Sequence, residues 1–224
     1  MEHAPTFDLS SMNALRFGWA KTKDNLRPLL ALGALTLLLS VAHQALMAPS
    51  GADGPRPVVA GVVQLVQCLL SSIYLRFALK LVDGEPLVIE RGSRLLLDFL
   101  GFLLTSALYA LVVTFGLALL IFPGLIWATK FSLAVMLVLD KQIDPFAAFK
   151  ESARLTEGFK LRILGFMLVL GAVNLLGAMA LGVGLIMTIP TTLVAAAYLL
   201  RQLQTRAGLA PTGAPKAPLQ HSPV

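Results

Sequence analysis

The sequence predicts an all-α polytopic membrane bundle, with six transmembrane helices in three hairpins and cytoplasmic amphipathic helices, and three observations carry that reading. Hydrophobic residues make up 57% of the 224 and charged residues only 13%, with a mean hydropathy of +0.79. Soluble domains carry about 25% charged residues, so a water-soluble globular domain is excluded. The apolar residues stand in long uncharged runs instead of at helical or strand period. The Lys and Arg residues gather between alternate runs, as they do where a chain is threaded through a bilayer.

A hydrocarbon core of about 30 Å needs about 20 helical residues at 1.5 Å each. Leu29 to Met47 supplies one crossing, and Val58 to Leu75 a second if Arg76 snorkels. From Leu95 to Leu139 the run is interrupted only by Asp98 and Lys130. That is too long for one crossing, and Pro123-Gly124 inside it predicts the turn of a second hairpin. Ile163 to Leu200 is free of charge, with Gly182 and Gly184 as the break of a third hairpin. Pro57, Pro123 and Pro190 recur at nearly equal intervals, and Leu29, Leu96 and Ile163 share the offset. Three copies of one hairpin would give this spacing, and so would any three hairpins of similar length.

Of the 18 Lys and Arg residues, 16 fall before the first span, between the second and third, between the fourth and fifth, or after the sixth. Arg56 alone falls on the other side, and Lys130 lies within a span. Short cytoplasmic loops retain basic residues, so both termini are expected in the cytoplasm. The formal charge of +6 is then a matter of threading and anionic-lipid contact, and no nucleic-acid partner is expected. Residues 1–27 read as a cytoplasmic amphipathic segment with no signal peptide, 28–204 as the six-helix transmembrane domain, and 205–224 as a disordered cytoplasmic tail. That tail holds Pro211, Pro215, Pro218 and Pro223 among small residues and has nothing to form a core. Cys68 is the one cysteine and lies within the second span, so no disulfide or metal framework is expected.

Two segments outside the spans carry helix signals. Asp144 can cap a helix, Pro145 suits its first position, and Gly158 suits a left-handed end. Between them Phe146, Phe149 and Ala153 share a face, with Lys150, Glu151, Arg154 and Glu157 elsewhere, which predicts an interfacial helix. The N-terminal segment follows the same plan, with Asp8 or Ser10 as cap, Leu9, Met12, Leu15 and Trp19 as anchors, and Arg16, Lys21 and Lys23 as the charged face. Trp127 is expected as a further interface anchor beside Trp19, Phe146 and Phe149.

The run Phe122-Pro123-Gly124-Leu125-Ile126-Trp127-Ala128-Thr129-Lys130-Phe131, followed by Ala148-Phe149-Lys150-Glu151-Ser152 and Leu155-Thr156-Glu157-Gly158, resembles a bacterial superfamily. Its members are uncharacterised six-helix membrane proteins related to the membrane domain of glycerophosphoryl diester phosphodiesterases. Gly182 to Pro190 is similar to that superfamily's last hairpin, and the likeness spans roughly residues 60 to 203. The resemblance implies a multi-pass protein of the bacterial inner membrane. It implies no activity, and no attached phosphodiesterase domain is expected.

A phosphodiesterase needs carboxylates and histidines clustered for metal and acid–base work. The three histidines are His3, His43 and His221, and no such cluster forms. There is no His-Glu-x-x-His, phosphate loop or nucleophile elbow. The expectation is a noncatalytic protein without cofactor or metal, organising lipids or a protein partner through its basic cytoplasmic helices. Lys130 offers the alternative. A lysine at midspan costs about 2.5–3.5 kcal/mol on insertion scales unless something compensates it. Asn174, Asp98, freed helix carbonyls or a lipid phosphate are the candidates, which makes Lys130, Asn174 and Asp98 the candidate anionic-ligand site of a transporter or lipid carrier.

Overall fold

The computed structural model describes residues 11–48, 57–87, 93–119, 121–179 and 184–209. The described chain is all-helical, in the order α1 (Ser11–Asp24), α2 (Leu26–Met47), α3 (Pro57–Asp83), α4 (Ser93–Leu119), α5 (Ile121–Phe131), α6 (Ala134–Lys141), α7 (Pro145–Leu155), α8 (Lys160–Met179) and α9 (Leu185–Arg206). Five of these, α2, α3, α4, α8 and α9, contain stretches long and apolar enough to cross a membrane. The chain is therefore a helical membrane protein.

Successive long helices run back along one another. His43 Nδ1 lies 3.2 Å from the Ala60 carbonyl, Gln67 donates to Ser40 Oγ at 2.5 Å, and the Tyr74 hydroxyl reaches the Leu29 carbonyl at 3.4 Å, which sets α2 antiparallel to α3. The Asn174 amide donates to Thr192 Oγ1 at 3.2 Å, and a Cβ on Gly177 would lie 3.1 Å from the Gly184 carbonyl carbon, so α8 and α9 approach closely where small residues permit it. Gln64, Ser71 and Ser72 find partners within α3, and Tyr109 donates to the Ala128 carbonyl at 3.1 Å. The polar residues of the apolar runs thus serve mostly as helix-to-helix or local hydrogen-bond partners.

The expected fourth span is two half-helices. α5 has 11 residues and α6 has 8, each too short for about 30 Å of hydrocarbon, with Ser132 and Leu133 in a turn between them. Together they retrace α4: Gly124 packs on Leu117, Ala128 meets Tyr109, Gly101 faces Val138, and Gln142 bonds Asp98. The chain reverses ahead of Pro123-Gly124, and both residues fall in the first turns of α5. Proline is tolerated there because a first-turn N–H has no intrahelical partner to lose.

α9 is the central helix. Half of its apolar window is buried, against 11–22% in the other four, and α1, α2, α3 and α8 all pack on it. Its buried residues are small or polar earlier in the helix, with Thr191, Thr192, Ala195 and Ala197, and larger toward its end, with Leu199, Leu200 and Leu203. α1 docks through Ala14, Gly18 and Thr22, all buried and on one face at i, i+4 and i+8, while Met12 and Trp19 stay exposed. Gly18 lets the two backbones touch, and the Phe17 ring stacks on Tyr198 at 4.5 Å. The helix therefore makes its closest approach by its smallest residues, with Leu15 and Phe17 packed beside them and Met12 and Trp19 turned outward. Leu9 and the cap candidates Asp8 and Ser10 lie outside the described residues.

α9 continues through Thr205 to Arg206, and Leu209 N–H closes the helix end on the Gln204 carbonyl at 3.0 Å with Gly208 at φ 70°. The start of the expected tail, 205–209, is therefore ordered, and the rest of it lies outside the described residues.

Candidate functional site

The α5–α6 break has a dedicated plug. α7 begins as its sequence predicts, with the Asp144 carboxylate accepting from the Phe146 and Ala147 N–H groups at 3.0 and 3.4 Å. It ends near Gly158, which takes a positive φ of 79°. The face that α7 buries is Ala148, Ser152 and Leu155. Phe146 is 71% exposed, and Phe149 is half-buried with its ring 5.1 Å from that of Phe131. The protein-facing side thus differs from the Phe146, Phe149 and Ala153 face expected to enter the bilayer. Small residues let α7 sit close on α5 and α6, and Ser152 uses that proximity. Its hydroxyl donates to the Lys130 carbonyl at 2.9 Å and accepts from the Leu133 N–H at 3.3 Å. One side chain therefore satisfies a carbonyl of α5 and the N–H of Leu133, the residue that caps α6, groups the interrupted ladder leaves without regular partners. Thr156 Oγ1 also reaches the Lys130 carbonyl, at 3.2 Å.

Lys130 lies in the last turn of α5, half-exposed, with its ammonium 5.3 Å from the centre of the Phe131 ring. It lines a cleft of about 730 Å³ with Ala147, Lys150, Glu151, Ala153, Arg154, Glu157 and Lys160. Four bases face two carboxylates there. Glu151 is largely engaged within the protein, by Arg154 at 2.8 and 3.1 Å and by Lys141 at 3.4 Å. The bonded Arg154 guanidinium lowers the Glu151 carboxyl below its ordinary range, and Lys141 adds to this against an opposing push from burial. The cleft is open and net positive, suited to phosphate oxygens.

Asp98 and Asn174 belong elsewhere. Asp98 is buried in an ion pair with Arg76 and accepts from Gln142 Nε2 at 3.2 Å. Gln142 is the residue that ends α6, at φ 51°, a left-handed position that residues other than glycine seldom take. Arg76 also donates to the Leu139 carbonyl at 3.3 Å, so it fastens α3 to α6 instead of snorkelling free. Asn174 spends its amide on Thr192. Trp127 is half-buried, and its ring lies over Gly116 of α4, where a Cβ would come within 2.8 Å of it. Trp19 is 43% exposed with the Lys23 ammonium 5.7 Å over its ring.

Sequence reasoning missed a buried charge cluster. Arg201 of α9 bonds both oxygens of Asp83, at 2.8 and 2.6 Å, and both of Asp140, at 2.7 Å each. Gln204 bonds Arg201 at 2.8 Å and Asp140 at 2.9 Å. The side chains are 4–11% exposed. The cluster joins the ends of α3, α6 and α9, and only charges positioned by three different helices could make it. Among the described residues, no group of three or more His, Cys, Asp or Glu is placed to hold a metal ion. No protein-family model, characterised protein or solved structure matches the chain.

Proposed function

We propose that the chain is a noncatalytic protein of the bacterial inner membrane that gathers anionic lipids by their phosphate groups in the Lys130 cleft. The observation that carries this reading is that Lys130 lines a cleft together with Lys150, Arg154 and Lys160, while Asp98 and Asn174 are engaged by other partners. A phosphate placed there meets several bases, one of them Lys160 at the start of α8, a helix whose Leu168 and Leu175 are exposed. Acyl chains would lie along such a helix. In this reading α5 and α6 jointly make the fourth of six spans, both termini and α7 are cytoplasmic, and the outward Met12, Trp19 and Phe146 meet the interface. A protein partner at the same basic face is compatible with it.

Melting the purified protein in detergent tests the lipid site. Phosphatidylglycerol should raise the midpoint and phosphatidylcholine should not, since a ligand at a hundred times its Kd adds about 2.7 kcal/mol. Lys130→Met should lose most of the rise and Lys130→Arg should keep it. A Met variant that responds like the wild type would remove Lys130 from the site. Threading is tested separately: reporters fused after Pro55 and Gly182 should report the periplasm, and those after Glu151 and Gly208 the cytoplasm. A cytoplasmic signal at Pro55 would overturn the six-span arrangement.

One observation favours the second reading, a lipid or solute carrier. Interrupted membrane helices in transporters place freed backbone groups at ligand sites, and α5–α6 is interrupted beside Lys130. Movement of a labelled anionic lipid between leaflets in proteoliposomes, dependent on Lys130, would select that reading.

A further inference from the structure

Lys130 takes part in two interactions at once. The residue lines the basic cleft, and its carbonyl accepts from Ser152 across the helix break. Ser152 itself has no access to the cleft. It is 0% exposed, and the two positions from Lys150 turn it about 200° around the helix, onto the opposite face. α7 therefore presents Lys150 and Arg154 to the cleft and Ser152 to the break.

We infer that Ser152 is a positioning residue which, through the Lys130 carbonyl, couples occupancy of the cleft by a phosphate-bearing ligand to closure of α7 over the α5–α6 break. The inference rests on the lipid-site reading above and adds its regulation. A phosphate bonded to Lys130 and to Lys150 or Lys160 draws the end of α5 toward α7 and the start of α8. That movement shortens the same gap that the Ser152 hydroxyl spans. Because coupling between two equilibria is reciprocal, the hydroxyl bridge must strengthen the ligand by the factor by which the ligand strengthens the bridge. Thr156 makes an open state accessible. Its single hydroxyl proton has the Lys130 carbonyl at 3.2 Å but also its own helix's Ser152 and Ala153 carbonyls at 2.9 and 3.3 Å, so it keeps a partner when α7 lifts. Ser152 is the member whose bridge joins both sides of the break. The Phe131 and Phe149 rings, 5.1 Å apart, lie between the two helices about which such a movement turns.

The test uses the full chain in nanodiscs of phosphatidylcholine, with phosphatidylglycerol or inorganic phosphate added. Amide exchange is read over residues 133–137, and retained phosphatidylglycerol is counted by native mass spectrometry. In the wild type, phosphatidylglycerol should slow exchange at Leu133 by about fivefold or more, the lower end of ordinary coupling between sites. Ser152→Ala, a smaller side chain on a face packed by small residues, should keep the fold, lose the lipid-dependent slowing, and retain lipid less well by a similar factor. Lys130→Met should lose retention and, with it, the lipid-dependent slowing at Leu133. Equal slowing from inorganic phosphate alone would identify the ligand as a free anion. Wild-type retention with no change at Leu133, or a Ser152→Ala variant that still responds to lipid, would overturn the coupling and leave the lipid site standing. Failure of the wild type to retain either anion would overturn both.

Discussion

Arg201→Ala is expected to be the most damaging substitution in the chain. It removes the guanidinium that holds Asp83 and Asp140 through four hydrogen bonds and leaves two carboxylates in surroundings where they are 11% and 4% exposed. Breaking a buried ion pair from one side costs about 3–5 kcal/mol, because the remaining charge has lost water and gained nothing. On the scale of soluble domains of about 200 residues, that lowers the melting midpoint by about 6–20 °C. Arg201→Lys should recover little, since one ammonium cannot present two forks of donors to two carboxylates. Combining Arg201→Met with Asp83→Asn and Asp140→Asn should recover much of the loss, because it removes the stranded charges along with their partner. Melts of these variants in one detergent decide the matter. An Arg201→Ala protein within about 1 kcal/mol of the wild type would mean that the cluster is solvated and contributes only as a surface pair does.

The same cluster shows what could and could not be read from the sequence. Apolar runs are a local signal, and each of the five long helices contains one. The start of α7 is local as well: Asp144, Pro145 and Gly158 act on their own neighbours, and all three take their expected roles. Arg201 lies 118 residues from Asp83 and 61 from Asp140, so nothing near it distinguishes it from a basic residue left inside by threading. The helix break was hidden for a different reason. Ser132 and Leu133 carry no glycine or proline, and the hydroxyls that make the interruption tolerable come from Ser152 and Thr156 on another helix. Their presence in the Lys-Glu-Ser-x-x-Leu-Thr segment was visible, but its purpose required the fold. Lys130 was visible as an anomaly. Its resolution, a carbonyl tied to α7 and a place in the wall of an open cleft, depended on where α5 stops.

Gly18→Leu is expected to detach α1 from the bundle, and it separates the docked arrangement from a helix that merely lies on the bilayer. A Cβ at Gly18 would run into the Thr191 carbonyl oxygen and come within 3.1 Å of the Ala195 nitrogen. Both are backbone atoms of the central helix, which is held on its other sides by α2, α3 and α8 and cannot give way. Overpacking a tight contact costs about 1–3 kcal/mol when neighbours can adjust, and a leucine here has no such neighbours. With α1 displaced, the Phe17–Tyr198 stack and the burial of Ala14 and Thr22 are lost as well. Trypsin should then cut at Arg16, Lys21 or Lys23 at least about tenfold faster than in the wild type, since local opening that costs 1.4 kcal/mol less exposes the bond ten times as often. Gly61→Ala is the control, because a Cβ there meets nothing within 4 Å and alanine favours the helix by about 1 kcal/mol. A helix anchored only by Met12, Leu15 and Trp19 would gain membrane affinity from a leucine at position 18 and become harder to cut. Slower cleavage in Gly18→Leu would therefore show that α1 is held by the bilayer, and faster cleavage that it is held by α9.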